Sequence, residues 1–158
     1  MRTGQTLDSK DKKILRVLSE NGRISIADAA DKTGLKRDAV IRRIRRMQNE
    51  KAITGFIPLI DPAALGLPNF AVVLIQTKTN PKESKEKLIK RLVNNKFVFH
   101  VSKIVGKYDL FCMVMYEHTQ HLNNILEEIK SYVPDFLEDL EVYPVAEEYK
   151  FQDMSMLL

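Results

Sequence analysis

The chain has 158 residues, of which 44% are hydrophobic and 29% charged, and its net charge is +4. That length accommodates one or two domains, and that composition excludes an intrinsically disordered chain. No apolar run approaches the roughly 20 residues that span a bilayer, no secretory-type hydrophobic segment opens the sequence, and the single cysteine, Cys112, excludes an internal disulfide framework; the expected compartment is the cytoplasm, with no membrane partner.

The charge is unevenly spread. Residues 1–55 carry 14 Lys and Arg against 7 Asp and Glu, whereas residues 56–158 carry 11 against 14. A basic first third joined to a mildly acidic remainder points to a polyanion-binding module attached to a second unit. A solvated cationic surface is the alternative.

The first amphipathic helix begins at Asp8, a good N-cap with a second acid, Asp11, three residues on. Leu7, Ile14, Leu15 and Leu18 supply its apolar stripe, and Asn21-Gly22 ends it, with the glycine suited to a left-handed cap. Ser25 caps a second helix over 26–32 with Asp28 three residues later; Ala29 and Ala30 permit close helix contact. Thr33-Gly34 then breaks the chain, and a short glycine turn between two helices is the helix-turn-helix pattern.

The third helix, 36–50, places Val40, Ile44 and Met47 on one stripe at about 100° per residue, with Leu35 and Ile41 beside it. Its opposite face carries Asp38, Arg42, Arg45, Arg46 and Asn49, with Arg43 on the flank. The major groove of duplex DNA admits one helix, whose first residues reach base edges. Lys36, Arg37, Asp38 and Arg42 hold those positions. Asp38 can accept from cytosine N4 or orient Arg42 one turn on. Arg43, Arg45 and Arg46 lie further along and suit phosphate contacts. With Ser25, these residues form the candidate DNA-binding set.

Residues 52–62 are β-branched and aromatic around Gly55, which predicts a short hairpin or wing leading into a linker strand, 56–68, punctuated by Pro62 and Pro68. Beyond it the predicted elements are a strand over 70–77, a helix from Asn80-Pro81 to about 94, a strand over 97–105, a turn at 106–108 and a strand over 109–116. A helix capped by Thr119 and ending near Pro134, then a strand over 136–149, complete the series. The fold class is therefore α+β: a winged helix-turn-helix over 1–55, then a ferredoxin-like βαββαβ domain over 69–150, with a tail at 151–158. The runs at 70–75 and 110–115 are apolar on both faces, yet the two helices cover only one. The other face would expose Val, Leu, Met and Phe, which marks an interaction surface. A second copy packed sheet to sheet fits it, and a dimer presents two recognition helices to two half-sites. The alternative is that the first domain covers that face.

Several stretches in order resemble the Lrp/AsnC, or feast/famine, family of transcription regulators. They are Leu7-Asp8-x-x-Asp11-x-x-Ile14-Leu15, Asn21 to Ser25, Thr33-Gly34-Leu35, the Arg42–Arg46 run, Ile53-Thr54-Gly55-Phe56, Val105 to Asp109, and Glu147-Glu148. The resemblance covers nearly the whole chain and implies a regulatory second domain of the RAM type. It also implies homodimers that assemble into tetramers, octamers or larger rings, and a free amino acid bound between dimers near 106–109. Gly106, Tyr108 and Asp109 are thus candidate effector-binding residues: Gly106 admits close backbone approach and Asp109 can accept from an ammonium group. A plain hairpin turn is the alternative for this loop. The sequence departs from effector-responsive relatives at Leu140 and Val142, where Thr or Ser is usual, and at Lys36 and Arg37, where small residues or proline are common.

Two other classes compete. Siroheme decarboxylases resemble this family in fold, but their Trp-containing and His-x-Tyr-type motifs are missing here. His118 and His121, three apart, fit a solvated helix start better than a metal site, and His100 reads as structural or interfacial. No phosphate-binding glycine loop, cysteine cluster or serine nucleophile elbow is present, and Cys112 lies within an apolar strand, so neither enzyme activity, cofactor nor metal is expected. The third class is an architectural protein binding DNA with little sequence preference, for which a steep salt dependence would speak.

Overall fold

The computed structural model describes residues 6–78, 82–150 and 155–158. They divide into two compact units: Met1–Leu59 with Lys150–Leu158, and Ile60–Tyr149. The division falls inside the expected linker, and the tail groups with the first unit.

The first unit holds three helices: α1 (Ser9–Glu20), α2 (Ile26–Thr33) and α3 (Arg37–Asn49). α1 starts with a reciprocal capping box. The Asp8 carboxylate accepts the Asp11 amide at 2.8 Å and the Asp11 carboxylate accepts the Asp8 amide at 3.1 Å, which satisfies two of the amide donors a helix start leaves unpaired. Ser25 caps α2, accepting the Asp28 amide and donating its hydroxyl proton to the Asp28 carboxylate. Gly34 ends α2 at φ 69°, a left-handed turn that a side chain resists, and α3 follows with Lys36 at its cap. The three helices close over Ile14, Val17, Ala29, Ala30, Val40 and Met47, with Leu7, Leu35 and Ile44 packed around them.

Two local expectations differ here. Gly22 does not form a left-handed cap: Asn21 ends α1 in extended conformation, and Gly22 is outside the positive-φ residues. A Cβ there would make ordinary contact, 3.4 Å from the Phe56 ring. The wing and linker strand do not form either. Residues 54–61 run without regular structure, and Ile57, Leu59 and Ile60 are exposed. A strand needs a second strand for its amides and carbonyls, and no described segment supplies one.

The second unit opens with a 3-10 turn at Pro62–Leu65. It then runs β1 (Asn69–Thr77), α4 (Lys82–Asn94), β2 (Val98–Lys103), β3 (Leu110–Tyr116), α5 (Thr119–Ser131) and β4 (Leu137–Pro144). The expected helix start at Asn80-Pro81 lies outside the described residues. The four strands form one antiparallel sheet in the order β2-β3-β1-β4, the ferredoxin-like arrangement. Burial alternates strictly along β1 and β3. Ala71, Val73, Ile75, Leu110, Cys112 and Val114 pack with Leu88 and Leu92 of α4 and Leu122, Ile125 and Ile129 of α5. Leu140 and Val142 pair with Ile75 and Val73 and join this core. The other face carries Val72, Leu74, Phe111, Met113 and Met115, all half-buried. His118, not Thr119, caps α5, accepting the His121 amide at 3.2 Å. β4 ends at Pro144, short of the expected 149, although the Val145 amide still donates to the Phe70 carbonyl at 2.9 Å.

Candidate nucleic-acid interface and ligand loop

α3 turns its apolar stripe into the first core, which leaves the basic face outward. Val40 and Met47 are fully buried, and Ile44 packs beside them. Lys36, Arg37, Asp38, Arg42 and Arg45 are exposed. A shallow groove along this face is lined by Asp38, Ile41, Arg42, Arg45, Arg46 and Asn49. Lys36, Arg37, Asp38, Arg42 and Arg45 have no ion-pair partner among the described residues. Asp38 therefore does not hold Arg42 in this structure.

The remaining two arginines are placed otherwise. Arg43 donates to Asp8 at 2.7 Å and to Asp11 at 2.8 Å. Arg46 also donates to Asp11 and lies 3.9 Å from Glu50. Asp11 is completely buried. A carboxylate in that position stands only when charged partners replace its lost hydration. The Asp11 amide and the Arg43 guanidinium hold the Asp8 carboxyl down at about 2, and the carboxylates of Asp8 and Asp11 raise Arg43 above its ordinary value. Arg43 and Arg46, expected as phosphate ligands, make ion pairs with α1 in this structure.

Asp8 and Asp11 were legible as caps but not as arginine partners, since the pairing spans more than 30 residues. One sequence signal was available. Asp11 lies four residues after Leu7 and three before Ile14, on the apolar stripe itself, where an acid requires a cation. Ser25 remains where its cap holds it, exposed at the start of α2.

The loop at 106–109 joins β2 to β3. Gly106 has φ 154°, Tyr108 is half-buried and Asp109 sits at its end. Asp109 is already occupied. Its carboxylate accepts the Thr77 amide at 2.9 Å, the Thr77 hydroxyl at 2.8 Å and the Lys85 ammonium of α4. Lys85 foremost, then Thr77, bring the carboxyl down to about 2 against a smaller opposing effect of burial. Beside it, Lys107 donates to Tyr108 at 2.6 Å and to Glu141 at 3.2 Å, and lies 3.5 Å from Asp139. The Tyr108 and Tyr143 hydroxyls and Lys107 together hold the Glu141 carboxyl at about 2. Thr77, Lys85 and Glu141 were not foreseen; each meets the loop only through sheet registry or a helix docked on the sheet.

Burial pushes the Cys112 thiol up to about 12, which suits a core side chain and not a nucleophile. Among the described residues, no three His, Cys, Asp or Glu side chains gather as a metal site, and no helix is long and apolar enough to cross a membrane.

Comparison with known proteins fits this geometry. The AsnC-type helix-turn-helix domain matches residues 7–48, the segment from the α1 entry through α3. The chain is 32% identical over 125 residues to the HTH-type transcriptional regulator Rv2324 of Mycobacterium tuberculosis, covering 79% of this chain and 83% of the relative. It is 28% identical over 125 residues to the HTH-type transcriptional regulator FL11 of Pyrococcus furiosus, covering 79% and 81%. The structure of the transcriptional regulator NMB0573 from Neisseria meningitidis, in complex with L-Met, shares the fold with a TM-score of 0.86, at 21% identity, over 97% of this chain and 100% of that one. With a helix-turn-helix of this type, a second α+β unit and relatives named throughout as regulators, the chain belongs to the Lrp/AsnC family of DNA-binding transcription regulators.

Proposed function

We propose that the chain acts as a sequence-specific regulator that reads duplex DNA with α3, works as a dimer or a larger assembly, and responds to a small effector. The observation that carries the reading is the α3 face, where Lys36, Arg37, Arg42 and Arg45 stand exposed with no ion-pair partner among the described residues. Arg42 and the 36–38 start take base edges; Arg45 takes phosphate, and Ser25 supports the phosphate side from the α2 start. Self-association uses the half-buried Val72, Leu74, Phe111, Met113 and Met115 face, and tetramers to octamers build on that dimer.

Support for an effector comes from the Neisseria neighbour crystallised with L-Met and from the loop at 106–109, where Gly106, Tyr108 and Asp109 are the residues for it. A ligand ammonium would share Asp109 with Thr77 and Lys85, which favours apolar or bulky amino acids that draw on Tyr108 and the loop backbone over small polar ones.

Selection of binding sites from a random duplex pool tests the DNA reading. A single enriched two-fold-related motif, bound about a thousandfold more tightly than unrelated duplex, is expected. Equal affinity for all duplexes with a steep salt dependence would instead assign an architectural role. For the effector, a thermal-shift screen of the twenty amino acids should show one or a few raising the melting temperature; none doing so would remove the effector from the reading.

A further inference from the structure

Four arginines in five residues of α3 would ordinarily make a strongly unspecific polyanion binder. We propose that Asp11, assisted by Asp8, is a positioning residue that withholds Arg43 and Arg46 from the DNA backbone, leaves Arg42 and Arg45 to it, and so sets the salt dependence of binding. The inference rests on the DNA-reading role of α3 proposed above.

The geometry sorts the arginines into two pairs. Arg43 and Arg46 reach acceptors on α1, whereas Arg42 and Arg45 do not, although Arg46 is 44% exposed and borders the groove that Arg42 and Arg45 line. One pair meets α1. There Asp11 is completely buried and accepts from both Arg43 and Arg46, while Asp8 accepts from Arg43. The side chain of Arg43 is 19% exposed. A carboxylate inside the fold stands in for a phosphate, with the same charge sign and the same bidentate acceptor geometry. It outcompetes a real phosphate because it is preorganised and less hydrated, and because leaving it unpaired inside the core is costly. The other pair meets solvent, and Arg42 and Arg45 have no such acceptor among the described residues.

The consequence is numerical. Each phosphate contact steepens the salt dependence of log affinity by about 0.9, or about 3.5-fold in affinity over a fourfold salt range. Holding two arginines back removes that salt sensitivity twice over, for operator and unrelated duplex alike.

The experiment measures affinity of the full chain for a selected operator and an unrelated duplex of equal length, between 50 and 200 mM KCl. Arg45→Gln should flatten the salt slope by about 0.9 per protomer, and Arg46→Gln should leave it unchanged. Asp11→Asn, checked for folding by circular dichroism, should steepen the slope by about 1 to 2 per protomer and tighten operator and unrelated duplex alike. A merely structural Asp11 predicts the opposite, weaker binding to both duplexes with an unchanged slope, and that result overturns the proposal. Equal flattening by Arg46→Gln and Arg45→Gln also overturns it, and decides the matter if Asp11→Asn does not fold. Failure of the unsubstituted chain to bind any duplex would sink the DNA-reading role of α3 itself, a different outcome from either.

Discussion

Asp109 shows how a side chain's neighbours settle what it can do. As the acid of a glycine-containing loop it was expected to receive a ligand's ammonium, and the residue is where the sequence put it. Its carboxylate, however, already accepts from Thr77 twice and from Lys85. Nothing local announces those partners. Thr77 reaches it across the sheet, and Lys85 sits on a helix 24 residues upstream. The pairing has a pH signature. The folded carboxyl lies at about 2, below its unfolded value of about 3.9. Its stabilisation is therefore complete above about pH 4 and is lost as pH falls through about 2. Asp109→Asn should lower stability at pH 7 by about 1 kcal/mol, since the site is partly solvated. The gap from the unsubstituted chain in urea unfolding should narrow between pH 4 and pH 2.5. A gap independent of pH would mean that the carboxylate's charge contributes nothing.

At the scale of elements, periodicity carried most of the prediction. All three helices of the first unit, and β1, β2, β3 and α5 of the βαββαβ series, lie within a few residues of their expected places; β4 stops five residues short, and the expected start of α4 falls outside the described residues. Such patterns are legible because burial repeats every 3.6 or every 2 residues. What failed depends on partners outside the element. The strand expected within 54–61 has the right residues and no neighbour. The Gly22 cap was inferred from residue type, but the chain leaves α1 in extended conformation at Asn21. The α5 cap went to His118 because its imidazole nitrogen reaches the His121 amide first. For α3, the stripe assignment makes a sharp prediction. Met47 is wholly buried in a core of few side chains, so Met47→Ala should cost about 2–5 kcal/mol. Chemical denaturation monitored by helix content checks it. Arg45→Ala, on the solvent side, should stay within about 0.5 kcal/mol of the parent.

For the whole molecule, the open face of the sheet matters most. Its apolar residues were evident from strands that are hydrophobic in both registers, although no single-chain pattern names what covers them. The proposed cover is a second copy. Val72 sits at the centre of that face, paired with Met113 and Tyr143 on its two sides. Val72→Lys should convert the chain to a monomer at micromolar concentration, seen as at least a halving of mass in light scattering. It should also weaken binding to a two-half-site operator by at least about a hundredfold while sparing a single half-site, because linkage of the two sites is lost. An unchanged mass would remove this face from the assembly.

The unpaired segment at 54–61 has its own consequence. It presents Phe56, Ile57, Leu59 and Ile60, all exposed, in a stretch without regular structure, the kind of segment a protease cuts first. Chymotrypsin-type cleavage should begin there, between two units that each keep their own core. A strand from another copy laid along it would shield those bonds. The rate of nicking thus becomes a clock for self-association, slowing as chain concentration rises.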